Sequence, residues 1–212
     1  MREKLKKLKL KHSMMLGVVS NLFFIFFVVF CLLYYDLHGN TGIAVMSFEI
    51  TAIIIEIIAF LIMSASIIMI TLMVQQRTVL KIAMAVYLLV EVLVMLADFD
   101  LIQLGSWFDS YGTVIIIAHS IFSALICLLY LSLDKNKTPL QIDVIIAATL
   151  MLLGMFAVVF QRRIYISVLA NTFGYLFLYV AVMVQIDYEI LEIDCYGYKA
   201  RVAEYHSSFF EH

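Results

Sequence analysis

Apolar residues fall into six long runs, at about 14–35, 43–74, 82–97, 112–133, 144–160 and 164–184, separated by short polar stretches. A soluble helix shows one apolar stripe. These runs are apolar on every side, and most reach the ~20 residues needed to cross a ~30 Å hydrocarbon layer. The pattern predicts an all-α, polytopic membrane protein with six transmembrane helices. Composition agrees with it, since 65% of the 212 residues are hydrophobic and the mean hydropathy is +1.04. The final polar stretch is too short for an independent domain, which needs ~50 residues. The expected organisation is a basic start at 1–13, a membrane domain at 14–186 and a cytoplasmic tail or linker at 187–212.

Net charge is only −2, but the charges are segregated. Six of the first twelve residues are Arg2, Lys4, Lys6, Lys7, Lys9 and Lys11. With this start in the cytoplasm, six spans also place Arg77, Lys81, Lys135, Lys137, Lys199 and Arg201 inside. Twelve of the fourteen Lys and Arg residues are then cytoplasmic, against Arg162 and Arg163 outside. That asymmetry obeys the positive-inside rule and predicts cytoplasmic N and C termini. A basic start before an apolar run also opens a secretory signal, but the run at 14–35 is longer than the 7–15 apolar residues of a signal core, and no small-residue cleavage pattern follows. The run is read as a retained first span.

The polar interruptions read as turns. Pro139, the sole proline, stands where a helix restarts. Residues 101–111 interleave Trp107, Phe108 and Tyr111 with polar groups, as expected of a segment lying in the membrane interface or covering an outward pocket. Cys31 and Cys127 fall in spans and Cys195 in the tail, so no disulfide framework is expected. The tail adds no span and is expected to be dispensable for insertion, with Gly197 weakening any helix that extends from the sixth span.

Ionisable groups inside a span are costly and mark functional positions. Glu49, Glu56, Glu91 and His119 are such groups, and Asn21 and Asn171 join them as neutral polar residues. Helix rise places Glu56, His119 and Asn171 at one depth, ~10–12 Å below the outer rim, and Glu91 deeper, ~15 Å from Lys81. Turned inward, they form an outward-facing polar pocket in which Glu56 is either protonated or paired with His119. Glu56, Glu91, His119 and Asn171 are therefore the candidate ligand-binding residues. The competing reading is that they act as interhelix hydrogen-bond donors and acceptors.

Catalytic patterns are sparse. No zinc-protease H-E-x-x-H, phosphate-binding glycine loop or nucleophile elbow occurs. His119 and Cys127 share a span at a spacing similar to that in membrane endopeptidases that process quorum-sensing peptide precursors. Eight residues of helix separate them by ~12 Å, too far for a base and nucleophile on one straight helix. No catalytic residue, metal or cofactor is expected. The lack of proline and the few glycines inside the spans disfavour the broken helices of many transporters.

Residues 152–161 (LLGMFAVVFQ), the following Ile164-Tyr-Ile-Ser, and 176–185 (LFLYVAVMVQ) resemble the last two helices of the multispan N-terminal sensing regions of Gram-positive diguanylate cyclases and sensor histidine kinases. The basic start before an aromatic-rich first span is similar too. The resemblance implies a sensor or receptor-like signalling module in the cell membrane, with a small ligand or peptide arriving from outside. It also implies an output domain or cytoplasmic partner reached through the sixth span. The bilayer is the first expected partner, a second copy of the chain is another, and no nucleic acid is expected. The alternative is a small transporter or a membrane subunit of a transporter complex. Orientation is checked by impermeant cysteine labelling: Ser106→Cys should react from outside intact cells, and cysteines at Asn136 and Lys199 only after permeabilisation. Outside labelling at Lys199 overturns the assignment.

Overall fold

The computed structural model of the chain describes residues 2–37, 42–73, 78–98, 106–130, 138–161 and 164–209. These residues form six helices: α1 (Arg2–Leu37), α2 (Gly42–Met73), α3 (Thr78–Asp98), α4 (Ser106–Leu129), α5 (Thr138–Gln161) and α6 (Ile164–Phe209). Five contain stretches long and apolar enough to cross a membrane: Lys4–Leu33, Ile50–Met73, Thr78–Leu96, Leu140–Ala157 and Ile166–Ile193. In α4 the corresponding described stretch, Ile116–Leu129, is shorter. The turns at 38–41, 74–77 and 131–137, and the first part of the aromatic segment, 101–105, lie outside the described residues. Residues 106–111 open α4.

Two helices, α1 and α6, run furthest beyond the apolar runs that predict them. Lysine and leucine are strong helix formers, so α1 starts at Arg2 rather than at the first apolar residue. Gly197 costs ~1 kcal/mol in a helix interior, which neighbours of adequate propensity outweigh. The helix α6 continues from the sixth apolar run through Gly197 to Phe209, 46 residues or ~69 Å.

Successive helices run antiparallel, and side-chain contacts fix their register. Ser20 Oγ donates to the Ala59 carbonyl at 3.0 Å and Ser66 Oγ to the Ser13 carbonyl at 2.7 Å, tying α1 to α2. Cys127 Sγ approaches the Val144 carbonyl across α4 and α5 at 3.5 Å. The helices close into a ring in chain order, with α1 meeting α6. Packing around the ring is uneven. It is extensive between α1 and α2, α5 and α6, and α1 and α6, but sparse where α3 meets α2 and α4. Half of the α6 span is buried, against 17% for α3. The core comprises Met14, Ile70, Leu80, Val144, Met151 and Leu178, among others. Leu61, Leu72, Leu89, Leu125, Leu153 and Phe160 point outward, a surface suited to lipid.

Close approach requires glycine at two of these contacts. A Cβ on Gly17 would stand 2.6 Å from the Tyr179 ring, and one on Gly154 would stand 2.7 Å from the Ala170 Cβ. Small residues at such crossings let helices reach van der Waals contact, the main source of association in lipid.

The basic start and the proximal tail are joined. Lys11 Nζ donates to both carboxylate oxygens of Asp187 at 2.7 Å, and Lys7 Nζ lies 2.9 Å from Glu189. Sequence alone assigned the lysines to topology and the acids to a linker. The structure pairs them, which ties the emerging α6 to α1. The Lys11–Asp187 pair is the more exposed, worth roughly 0.2–1 kcal/mol at such a site, and the Lys7–Glu189 pair is more enclosed.

Gly154→Ala should destabilise the α5–α6 crossing by about 1–3 kcal/mol through overpacking, while Leu153→Ala on the outward face should be close to neutral. Thermal unfolding of the two variants in one detergent checks the difference. Equal melting temperatures would show that the crossing is not tight.

Candidate functional site

The ionisable residues inside the bundle meet where α3 is held most loosely. His119 Nε2 of α4 lies 2.5 Å from Glu91 Oε1 of α3. Both side chains are largely buried, 25% and 17% exposed, which leaves little water to solvate a charge. Whether the proton sits on nitrogen or oxygen, a pair sharing one proton carries no net charge, the condition an apolar interior favours.

Glu91 also lines a small cleft with Phe24 of α1, Glu56 and Phe60 of α2, and Val94 and Met95 of α3. The cleft has about 40 Å³ of space, room for a few waters or a small ion. The structure thus brings Glu56, Glu91 and His119 into one neighbourhood. His119 takes Glu91 as its partner, whereas the sequence reading offered Glu56.

Depth explains the different partner. Glu56, His119 and Asn171 were measured from the outer ends of their spans, but Glu91 from Lys81 at the inner end. The helix α3 closes at Asp98, so Glu91 is seven residues from that end, as Glu56 is from Glu49 and His119 from Gly112. Contact with His119 places Glu91 in the same layer rather than below it.

Asn171 shares this layer but turns elsewhere. Its Nδ2 donates to Ser120 Oγ at 3.1 Å, and Ser120 Oγ lies 3.2 Å from Ser167 Oγ. Asn171 is not among the residues lining the cleft. It joins α6 to α4, the interhelix role weighed against the pocket. Asn21 donates to the Gly17 carbonyl of its own helix at 2.7 Å. The side chain of Glu49 lies outside the described residues.

Four tyrosines missed by the sequence reading occupy the interior. Tyr87 packs its ring against His119 at 5.5 Å, Tyr175 at 5.7 Å and Phe122 at 6.3 Å. Tyr175 stacks on Tyr179 at 6.0 Å, and the Tyr130 hydroxyl points at Met84 Sδ. The Ser123 and Tyr175 hydroxyls are both buried without a hydrogen-bond partner among the described residues. Two signals could have revealed this row. Tyr87 precedes Glu91 by one helical turn, and Ser167, Asn171, Tyr175 and Tyr179 recur every four residues along α6.

Among the described residues no group of three or more His, Cys, Asp or Glu could hold a metal ion. No protein-family model, curated protein or solved structure matches this chain.

Glu91→Leu should destabilise the bundle by about 1–3 kcal/mol, because it strands the His119 ring in a poorly solvated site. Glu91→Gln keeps a hydrogen-bond partner and should cost less. Thermal unfolding of the two variants, alone and with His119→Leu, checks this: the double variant Glu91→Leu/His119→Leu should recover part of the loss. Strict additivity would show that the two side chains do not interact.

Proposed function

We propose that the chain is a multi-pass sensor or receptor-like module of the cell membrane, with six spans and cytoplasmic N and C termini. It recognises a small polar ligand at an outward-facing cleft lined by Glu56 and Glu91, with His119 as the partner of Glu91 beside it. The observation that carries this reading is the Glu91–His119 pair, which bridges α3 and α4 where α3 has few other contacts. A ligand that engages either partner competes with the bridge. It shifts the bundle between two arrangements only to the extent that it binds them unequally. Asn171 takes the positioning role, holding α6 to α4.

The output is a displacement of α6. That helix leaves the membrane layer unbroken, and beside it run the lysines of α1. A cytoplasmic partner or output domain reads its movement. The lines of support are the resemblance of α5 and α6 to sensing regions and the continuity of α6. The transporter reading rests on the same intramembrane carboxylates, and transport distinguishes the two.

The test uses purified protein in proteoliposomes, with a spin label at Lys199→Cys after Cys31, Cys127 and Cys195 are replaced by alanine. Breaking the bridge with His119→Ala should change the label's mobility or distances, while Leu153→Ala should not. Unchanged spectra in His119→Ala would sink the coupling. Solute or proton flux that disappears in Glu56→Gln would establish a carrier instead.

A further inference from the structure

The face of α6 turned away from its own bundle carries a continuous apolar stripe. Phe173, Phe177, Val180, Val184, Tyr188 and Leu191 are all exposed, Tyr188 at 65% and Leu191 at 60%. The buried residues Leu178, Tyr179, Val182 and Ile186 occupy the other side of the same helix. Beyond Leu191 the rhythm continues in sequence through Cys195, Tyr198, Val202, Tyr205 and Phe209, all within the unbroken helix. From Phe173 to Phe209 these positions advance 36 residues in ten steps, which is the 3.6-residue period of the helix. Sequence positions at that period share one face of a helix.

Lipid covers such a face inside the membrane but not beyond it. Tyr188 and Leu191 stand level with Asp187 and Glu189, which meet the lysines of α1, and the helix then runs on for another 18 residues past Leu191. From Tyr188 to Phe209 the spacing settles to three and four in alternation, a 3.5-residue repeat. That repeat describes the seam of a left-handed coiled coil.

We propose that this stripe is the interface between two copies of the chain, packed in parallel along α6 and continuing as a two-stranded coiled coil from Tyr188 to Phe209. Two copies inserted in one membrane share orientation and depth, so their stripes meet parallel and in register without further adjustment. A two-fold axis along the seam sets each position against its counterpart. In heptad terms Tyr188, Cys195, Val202 and Phe209 occupy a, and Leu191, Tyr198 and Tyr205 occupy d. Asp194 at g and Lys199 at the following e are opposite charges five residues apart, the pairing that favours parallel strands. Asp187 at g and Glu192 at e are like charges, but Lys11 of the same chain already pairs with Asp187. Gly197 falls at c, off the seam. The dimer does not depend on the proposed ligand site, since no residue of the cleft lies on this stripe.

The native Cys195 sits at an a position and provides the test. Full-length protein carrying Cys31→Ala and Cys127→Ala is oxidised in native membranes with copper phenanthroline, and also treated with a short bifunctional maleimide. A covalent dimer is expected with Cys195. When Cys195 is replaced by alanine, a dimer is expected with Leu191→Cys, Tyr198→Cys or Val202→Cys. The dimer band should be lost with Tyr196→Cys or Ala200→Cys, and lost from the Cys195 protein when Leu191→Glu is added. Equal cross-linking at every position overturns the seam. So does the absence of any dimer with both reagents, or an adduct of Cys195 only with a protein of different mass.

Discussion

Hydrocarbon offers no hydrogen bonds, so every polar group in a span must find its partner inside the protein. The architecture follows from how this chain meets that demand. Several described hydroxyls are spent on backbone carbonyls, either of their own helix, as at Thr71 and Thr172, or of a neighbour, as at Ser20 and Ser66. Such bonds let α1 and α2 approach closely, and Gly17 and Gly154 do the same for α1–α6 and α5–α6. The helix α3 has little of this. Its strongest polar link inside the bundle is the Glu91–His119 pair, and its packing on both flanks is thin. The least buried of the five membrane-length helices is thus held chiefly by one side-chain pair.

Hydropathy made the helices legible because apolar runs of this length have few other fates. It was poorer at their ends. Lysine-rich and acidic stretches look like flanks when apolarity is the measure, yet both are competent helix, and α1 and α6 run through them. The same weakness misplaced Glu91. Depth was counted from Lys81, but span 3 is short, and the count from Asp98 would have aligned it with His119. Partner choice was less legible still. Rise along an axis gives a layer but not a direction, so Glu56, Glu91, His119 and Asn171 could be grouped without showing that Asn171 turns to Ser120. The tyrosines were overlooked because aromatic residues are expected at membrane interfaces. Tyr87 and Tyr175 are instead buried among helices, where the ring fills volume and the hydroxyl adds polarity.

Two adjacent residues of α4 connect the cleft to the rest of the bundle. His119 reaches α3, while Ser120 meets Ser167 and Asn171 of α6. Neighbours in a helix point about 100° apart, so one turn of α4 grips both sides. Tyr87 adds a second route, touching His119 on one side and Tyr175 of α6 on the other. Displacement of α4 relative to α3 would strain the α6 contacts directly, with no long chain of intermediaries required.

The two faces of α6 then have different tasks. One is set by its own bundle: Tyr175, Leu178, Tyr179, Val182 and Ile186 are buried against the other helices, and Asn171 fixes its height on α4. The other is the proposed seam with a second copy. A helix clamped on both sides cannot respond by bending outward, because either face would lose packing. Small rotations or axial slides remain, and these keep a packed seam intact while changing which residues meet across it. The spacing between Val184 and Tyr188 is relevant here. The step from Val180 to Val184 and the next, to Tyr188, are both of four, so the repeat changes from a looser one before Tyr188 to 3.5 residues beyond it. Such an inserted spacing locally unwinds a coiled coil. It falls beside Asp187, where Lys11 grips α6. In the proposed dimer this is the most adaptable point of the seam, and Lys11 ties it to the basic start of the same chain.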